Sequence, residues 1–182
     1  MFQYEDENEY KYSGIANENY TNFIMKNHIR GWNEKLDLCE MMVKSGWSEV
    51  FSGFFTCLET NTYFAIPIKI KRKKIISSNE KLNITLKSFE KYFEVYSEDE
   101  GFARKFITED LMKFLVEFYE KYNLDFEIVF KEKFIYMRFF ADFTFCFDLY
   151  NERINKGLLY TYMCILSNIK EVMSEFRRLF CN

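Results

Sequence analysis

The chain has 182 residues, 48% of them hydrophobic and 29% charged, with a formal net charge of −3. That length fits one domain around one core, with about 70% of the unfolded chain's surface open to burial, and the small net charge excludes a global field that would select nucleic acid or an acidic surface as partner. A single histidine, His28, excludes a metal site built on several imidazoles of one chain, and the six glycines contain no G-x-G-x-x-G or P-loop pattern.

The 22 Phe and 13 Tyr read as builders of a bulky aromatic core rather than as a binding signal. Cys39, Cys57, Cys146, Cys164 and Cys181 show no C-x-x-C spacing and read as reduced, mostly buried thiols of a cytosolic protein. The start, MFQYEDENEY, lacks the basic and apolar regions of a secretory signal. No stretch approaches the roughly 18 apolar residues of a membrane span, so a soluble chain is expected.

In chain order, residues 1–10 are acidic and polar enough to predict a flexible arm, with a single domain over 11–182. Tyr12 to Ala16 and Phe23 to Ile29 flank the turn-rich Asn17-Glu18-Asn19, which suggests a hairpin. From Asn33 to Lys44, Leu36, Cys39, Glu40 and Val43 recur at helical spacing before Gly46, and a short helix competes there with a continued strand. Glu49 to Leu58 and Tyr63 to Lys71 are separated by the polar Glu59-Thr60-Asn61-Thr62 and predict a hairpin. In the second run, Ile66, Ile68 and Ile70 alternate with Pro67, Lys69 and Lys71; one buried face is implied, and Pro67 marks an edge strand.

Ser77-Ser78-Asn79 marks a loop, and Phe93 to Tyr96 a short strand. Thr108 is an N-cap followed by Glu109 and Asp110, with Leu111, Phe114, Leu115, Phe118 and Tyr122 forming the apolar stripe of a helix that ends near Asn123. Phe126 to Phe130 and Phe134 to Phe140 flank Lys131-Glu132-Lys133 and predict a hairpin with a charged tip. Leu158, Tyr162, Ile165, Leu166, Ile169, Val172, Met173, Phe176 and Phe180 follow helical spacing, which predicts a long closing helix.

Several of these runs share a pattern. Val50, Phe51, Gly53, Phe54 and Phe55 meet V-F-x-G-[LF]-F. Phe89, Glu90, Phe93, Val95, Tyr96, Ser97 and Asp99 meet F-E-x-x-F-x-V-Y-S-x-D, and Ala103, Arg104, Thr108, Leu111 and Met112 meet the A-R and T-x-x-L-M signals of a helix start. In these respects the chain resembles a bacterial domain-of-unknown-function family, the one numbered three-one-three-seven, over roughly Val50 to Phe176. The family supplies no catalytic residues. Its members often carry N-terminal transmembrane helices, which this chain lacks, and the region before Val50 matches the pattern poorly.

Two groups of residues are candidate sites. Asp99 and Arg104 form either a polar binding pair or a structural corner in which Ser97 and Asp99 bond to backbone N–H groups and Arg104 pairs with Asp99 or Glu90. Lys69, Lys71, Arg72, Lys73 and Lys74 form either an anion-binding patch or the lysines that keep a Pro-containing edge strand from aggregating. His28 reads as a strand-end surface residue. No catalytic, metal-binding or cofactor-binding residues are assigned, and no cofactor is expected.

The expected architecture is α+β: a mainly antiparallel sheet of hairpins, with the central helix and the long C-terminal helix packed on one face. The leading functional reading is a non-catalytic cytoplasmic module that binds a protein or small ligand through a sheet edge or an aromatic groove. A peripheral module at the inner membrane face, holding anionic lipid through 69–74, is the alternative, and a carboxylate-based enzyme ranks third. Two close carboxylates in a deep pocket would favour the enzyme, a continuous basic face the membrane module, and an exposed apolar groove the binding module.

Overall fold

The computed structural model describes residues 3–15, 22–31, 36–73, 82, 86–141 and 156–181. Its elements are α1 (Gln3–Ser13), β1 (Asn22–Gly31), β2 (Leu36–Ser45), β3 (Ser48–Arg72), α2 (Lys87–Glu90), β4 (Phe93–Tyr96), α3 (Glu100–Phe106), α4 (Glu109–Tyr122), β5 (Phe126–Phe140) and α5 (Lys156–Phe180). The strands form one antiparallel sheet in the order β1-β2-β3-β4, with β5 on the other side of β3. The α+β class, the antiparallel sheet and the closing helix are as the sequence predicts.

The centre of the sheet holds one of the two predicted hairpins and opens the other. Phe126 to Phe140, β5, is folded back on itself as predicted: the Phe140 N–H donates to the Asp125 carbonyl at 2.9 Å, and Glu127 and Arg138 meet across the hairpin. β3 also reverses near Glu59 to Thr62, but the β5 hairpin lies between its arms, with 53–59 along one arm of β5 and 64–70 along the other. The two polar turns lie side by side, since Glu59 pairs with Phe134 and Phe64 with Glu132, with register shifts between them. β3 passes around the tip of the β5 hairpin there, and Thr60 Oγ1 fixes the passage by donating to the carbonyls of Thr62 and Lys133. On β5, Glu132 takes a left-handed φ of 54°. The turn there sets the two arms of β5 in register, so that Phe126, Ile128 and Phe130 of the first and Ile135, Met137 and Phe139 of the second face the helices together.

Further differences lie near the start. Residues 3–13 are helical rather than an arm, Tyr10 is fully buried, and Tyr12 belongs to that helix rather than to a hairpin strand. β1 pairs instead with β2, which takes the strand alternative rather than the helix. The predicted turn at Asn17-Glu18-Asn19 and the loop at Ser77-Ser78-Asn79 lie outside the described residues.

Gly53 shows why β3 and β5 lie so close. Its φ is 146°, and an added Cβ would sit 2.0 Å from the Phe139 carbonyl oxygen, so only glycine permits the approach. Phe54, Leu58, Phe64, Ile68 and Ile70 of β3 pack against α4 and α5 in the larger core. Within it the Phe64 ring stands 5.0 Å from Phe106, 5.3 Å from Phe130 and 5.7 Å from Phe180. Phe51, Phe55, Cys57, Val129 and Tyr136 face the other way, into a second cluster closed by Tyr10 and Ile15. Residues 53–58 are therefore buried on both faces, as a continuous apolar run requires.

The motif unit is a strand followed by two capped helices. Asp99 is the N-cap of α3, its carboxylate accepting from the Phe102 N–H at 2.8 Å. Thr108 caps α4 in the same way through Leu111 N–H, and α4 ends on the left-handed Asn123, as predicted.

Candidate functional site

α5 is longer than the surface it covers. Ile169, Val172, Met173, Phe176 and Phe180 are buried against the sheet, but Leu159, Tyr160 and Met163 in the first half are exposed, Tyr160 by 73%. From Gly157 to Ile169 the helix carries no charged residue. Between α5 and the β2 side of the sheet runs an open groove of about 240 Å³, lined by Leu36, Leu38, Thr56, Leu166, Ile169, Lys170 and Met173. Its wall is apolar: the Thr56 hydroxyl is turned to the Met173 sulfur at 3.5 Å, and Lys170 is the one charged lining residue.

The opposite face of the sheet holds a buried polar cluster. Arg138 and Glu127, opposite each other across the β5 hairpin, form an ion pair with Nη2 to Oε2 at 2.9 Å and Nε to Oε2 at 3.0 Å, both side chains under one-tenth exposed. Arg138 Nη1 also donates to the Tyr10 hydroxyl at 3.0 Å. On β3, Lys69 Nζ donates to the carbonyls of Gly14 and Ile15, just past α1. Burial, with Lys71 beside it, pulls the Lys69 ammonium from 10.5 down to about 7. Glu94 of β4 is buried as well and accepts from the Tyr96 hydroxyl at 2.8 Å.

The sequence-predicted sites are not assembled as predicted. Arg104 pairs with Glu100, one turn earlier, at 2.6 Å, and not with Asp99 or Glu90; Asp99 serves as the α3 cap. Ser97 donates to the Pro67 carbonyl across the sheet rather than accepting from a local N–H. The basic run is divided between the two faces of β3. Lys69 and Lys71 face the α1 side, whereas Arg72 bonds Asp125, the Tyr92 carbonyl and the Tyr119 hydroxyl, with its guanidinium 3.9 Å from the Tyr119 ring centre. Lys73 Nζ reaches the Glu90 carbonyl, and Lys74 lies outside the described residues.

Nor is this segment an edge. Lys69 lies between Tyr96 of β4 and Val129 of β5, so the gatekeeper role does not apply to it. Pro67 occupies the stretch of β3 between the end of the β2 pairing at Leu58 and the start of the β4 pairing at Lys69, where only β5 flanks it. His28 pairs with Cys39 within β1 and β2. Cys39 and Cys57 are buried, Cys164 and Cys181 half-buried, and all four are free thiols; burial pushes the Cys57 thiol up.

Sequence reasoning missed Glu127 and Arg138, although a charge inside each of the apolar runs FEIVF and IYMRFF signals a buried pair. The groove had no such signal, because Leu36 read as part of a possible helix stripe with Cys39, Glu40 and Val43, and Leu38 fell outside it. Among the described residues no group of three His, Cys, Asp or Glu is placed to hold a metal ion, and no helix is long and apolar enough to cross a membrane.

These features define an α+β domain with a five-stranded antiparallel sheet, helices over one face and a polar cluster under the other. The chain belongs to the family described as Protein of unknown function (DUF3137), which it matches over residues 49–178. No curated protein and no solved structure matches it. The family range begins in β3 and ends in α5, so α1, β1 and β2 lie ahead of it.

Proposed function

We propose that this chain is a non-catalytic binding module that takes an apolar group of a protein or small ligand between α5 and the sheet. The supporting observation is the groove lined by Leu36, Leu38, Leu166, Ile169 and Met173. An apolar cavity of about 150 Å³ is enough to admit benzene, so 240 Å³ accommodates a larger side chain or a short hydrocarbon. The groove lining contains no carboxylate, which leaves general acid/base chemistry without its groups there. The buried free thiols Cys39 and Cys57 suit the reducing cytoplasm, where the module would act.

The test is native mass spectrometry of the purified chain, read for retained mass and subunit number, together with titration of 1-anilinonaphthalene-8-sulfonate. Leu166 is half-buried on the groove wall, so Leu166→Glu places a charge in the groove with little loss of core. Retained mass or probe binding that Leu166→Glu abolishes is the expected result. Equal binding by the variant, or none by either protein, would overturn the groove as the site.

A further inference from the structure

Helix α1 is a weak cover for an apolar surface. Its sequence, QYEDENEYKYS, carries four acids and no aliphatic side chain, so it has no apolar stripe. A polar helix of 11 residues is marginal in water by itself. What fixes it is its C-terminal end. Tyr10 is buried with its ring 5.2 Å from Phe55, 6.0 Å from Phe23 and 6.1 Å from Phe51, and its hydroxyl accepts from Arg138. The Tyr12 carbonyl accepts from Lys131, whose ammonium also lies 3.7 Å from the Tyr12 ring centre. The Gly14 and Ile15 carbonyls accept from Lys69.

The last carbonyls of a helix lack intrahelical partners and form the negative end of its dipole. The sheet meets that end with two lysine nitrogens and aims a guanidinium at the tyrosine one turn earlier. An aromatic socket, the cations Lys131 and Arg138 and the Lys69 amine thus recognise a helix terminus by chemistry that does not depend on the helix being part of the same chain. Elements with few buried apolar contacts also open most readily. The acidic start and the lysines of the basic run, separate features in the sequence, meet at this one surface.

We propose that this face of the sheet is a receptor for the C-terminal end of an acidic, tyrosine-bearing helix, with α1 as its resident occupant and a partner protein's segment of the same chemistry as the ligand that displaces it. The partner places its tyrosine in the Phe23, Phe51 and Phe55 socket and its terminal carbonyls on Lys69 and Lys131. This surface is distinct from the α5 groove and lies on the opposite side of the sheet.

A fluorescein-labelled peptide of residues 1–15, titrated by anisotropy into the full-length chain and into its full-length Tyr10→Ala and Glu7→Pro variants, tests this. Each substitution weakens the resident helix without altering the sheet, by emptying the socket or by unwinding α1, and circular dichroism checks that each variant is folded. Both variants should bind the peptide at least tenfold more tightly than the unaltered chain. The binding should fall with salt and be lost when the peptide carries Tyr10→Ala. Equal affinity for all three chains, no binding to either folded variant, or undiminished binding of the Tyr10→Ala peptide would overturn the proposal. Concentration-dependent dimers of the unaltered chain that the peptide dissolves would replace the foreign segment with α1 of a second copy.

Discussion

The two faces of the sheet are held by different physics. The face under α4 and α5 is almost wholly hydrocarbon, from Phe54 and Leu58 through Phe64, Phe130 and Phe176, and its strength is the area it removes from water. The face under α1 has a smaller apolar cluster and places Arg138, Glu127 and Lys69 beside it. Buried ion pairs add little net stability over apolar residues of the same volume, but they penalise wrong arrangements heavily. One side of β3 therefore rests on buried apolar area, and the other on paired polar groups beside a smaller apolar cluster.

The sharpest way to break the comparison is to truncate one buried residue on each face. Phe176 is fully buried and its ring lies 5.9 Å from Phe130 and 6.0 Å from Phe180. Phe176→Ala should cost about 3–5 kcal/mol in urea unfolding, and no second substitution nearby should recover it except one that restores volume. On the other face, Arg138→Met strands the buried Glu127 carboxylate and should cost a similar amount, about 3–5 kcal/mol. Here recovery is possible: Glu127→Leu added to Arg138→Met should restore most of the loss. A double variant no better than the single one would mean that the polar face, too, depends on packing alone.

The same contrast governs how much of the molecule was legible in the sequence. Elements defined by local chemistry are read correctly: the Thr108 cap, the Leu111 to Tyr122 stripe, the Asn123 stop and the 3.6-residue period of α5. The turns at Glu59 to Thr62 and Lys131 to Lys133 are legible from their composition, but the insertion of the β5 hairpin between the arms of β3 is not, because those pairings join residues far apart in the chain. Asp99 was recognised as a local hydrogen-bonding residue, but the short α3 that it caps has too few turns to show a period. The two candidate sites are the least legible parts. A groove is a relation between α5 and β2, and the Tyr10 to Arg138 bond spans 128 positions, so neither leaves a local pattern.

Lys69 gives a smaller effect with a definite sign. Its ammonium titrates near 7 in the folded protein and near 10.5 when unfolded. Between those values the unfolded chain holds a proton that the folded chain has released, so stability rises with pH across that window and is flat below it. Lys69→Met keeps the stem and removes the titration. Urea unfolding at pH 7, 8 and 9 should show the stability of the unaltered chain relative to Lys69→Met increasing with each step. The raised Cys57 thiol drives the opposite trend in both proteins, and it cancels in the difference. A difference that is constant with pH would show that the Lys69 ammonium stays charged against the Gly14 and Ile15 carbonyls.

The smallest expected effects lie at the strand-to-helix corner, where the structural and binding roles of Asp99 and Arg104 can be separated. Asp99→Ala removes the α3 cap and should cost about 1 kcal/mol. Arg104→Ala loses an exposed pair with Glu100, worth about a few tenths of a kcal/mol once solvent screening is counted. Because the two side chains bond different partners, Phe102 N–H and Glu100, their effects should add in a double-mutant cycle. A coupling above about 0.5 kcal/mol would mean that the two groups meet in solution, and the corner would again be a candidate polar site. Additivity would leave Asp99 as a helix cap whose place in the pattern follows from the turn it fixes between β4 and α3.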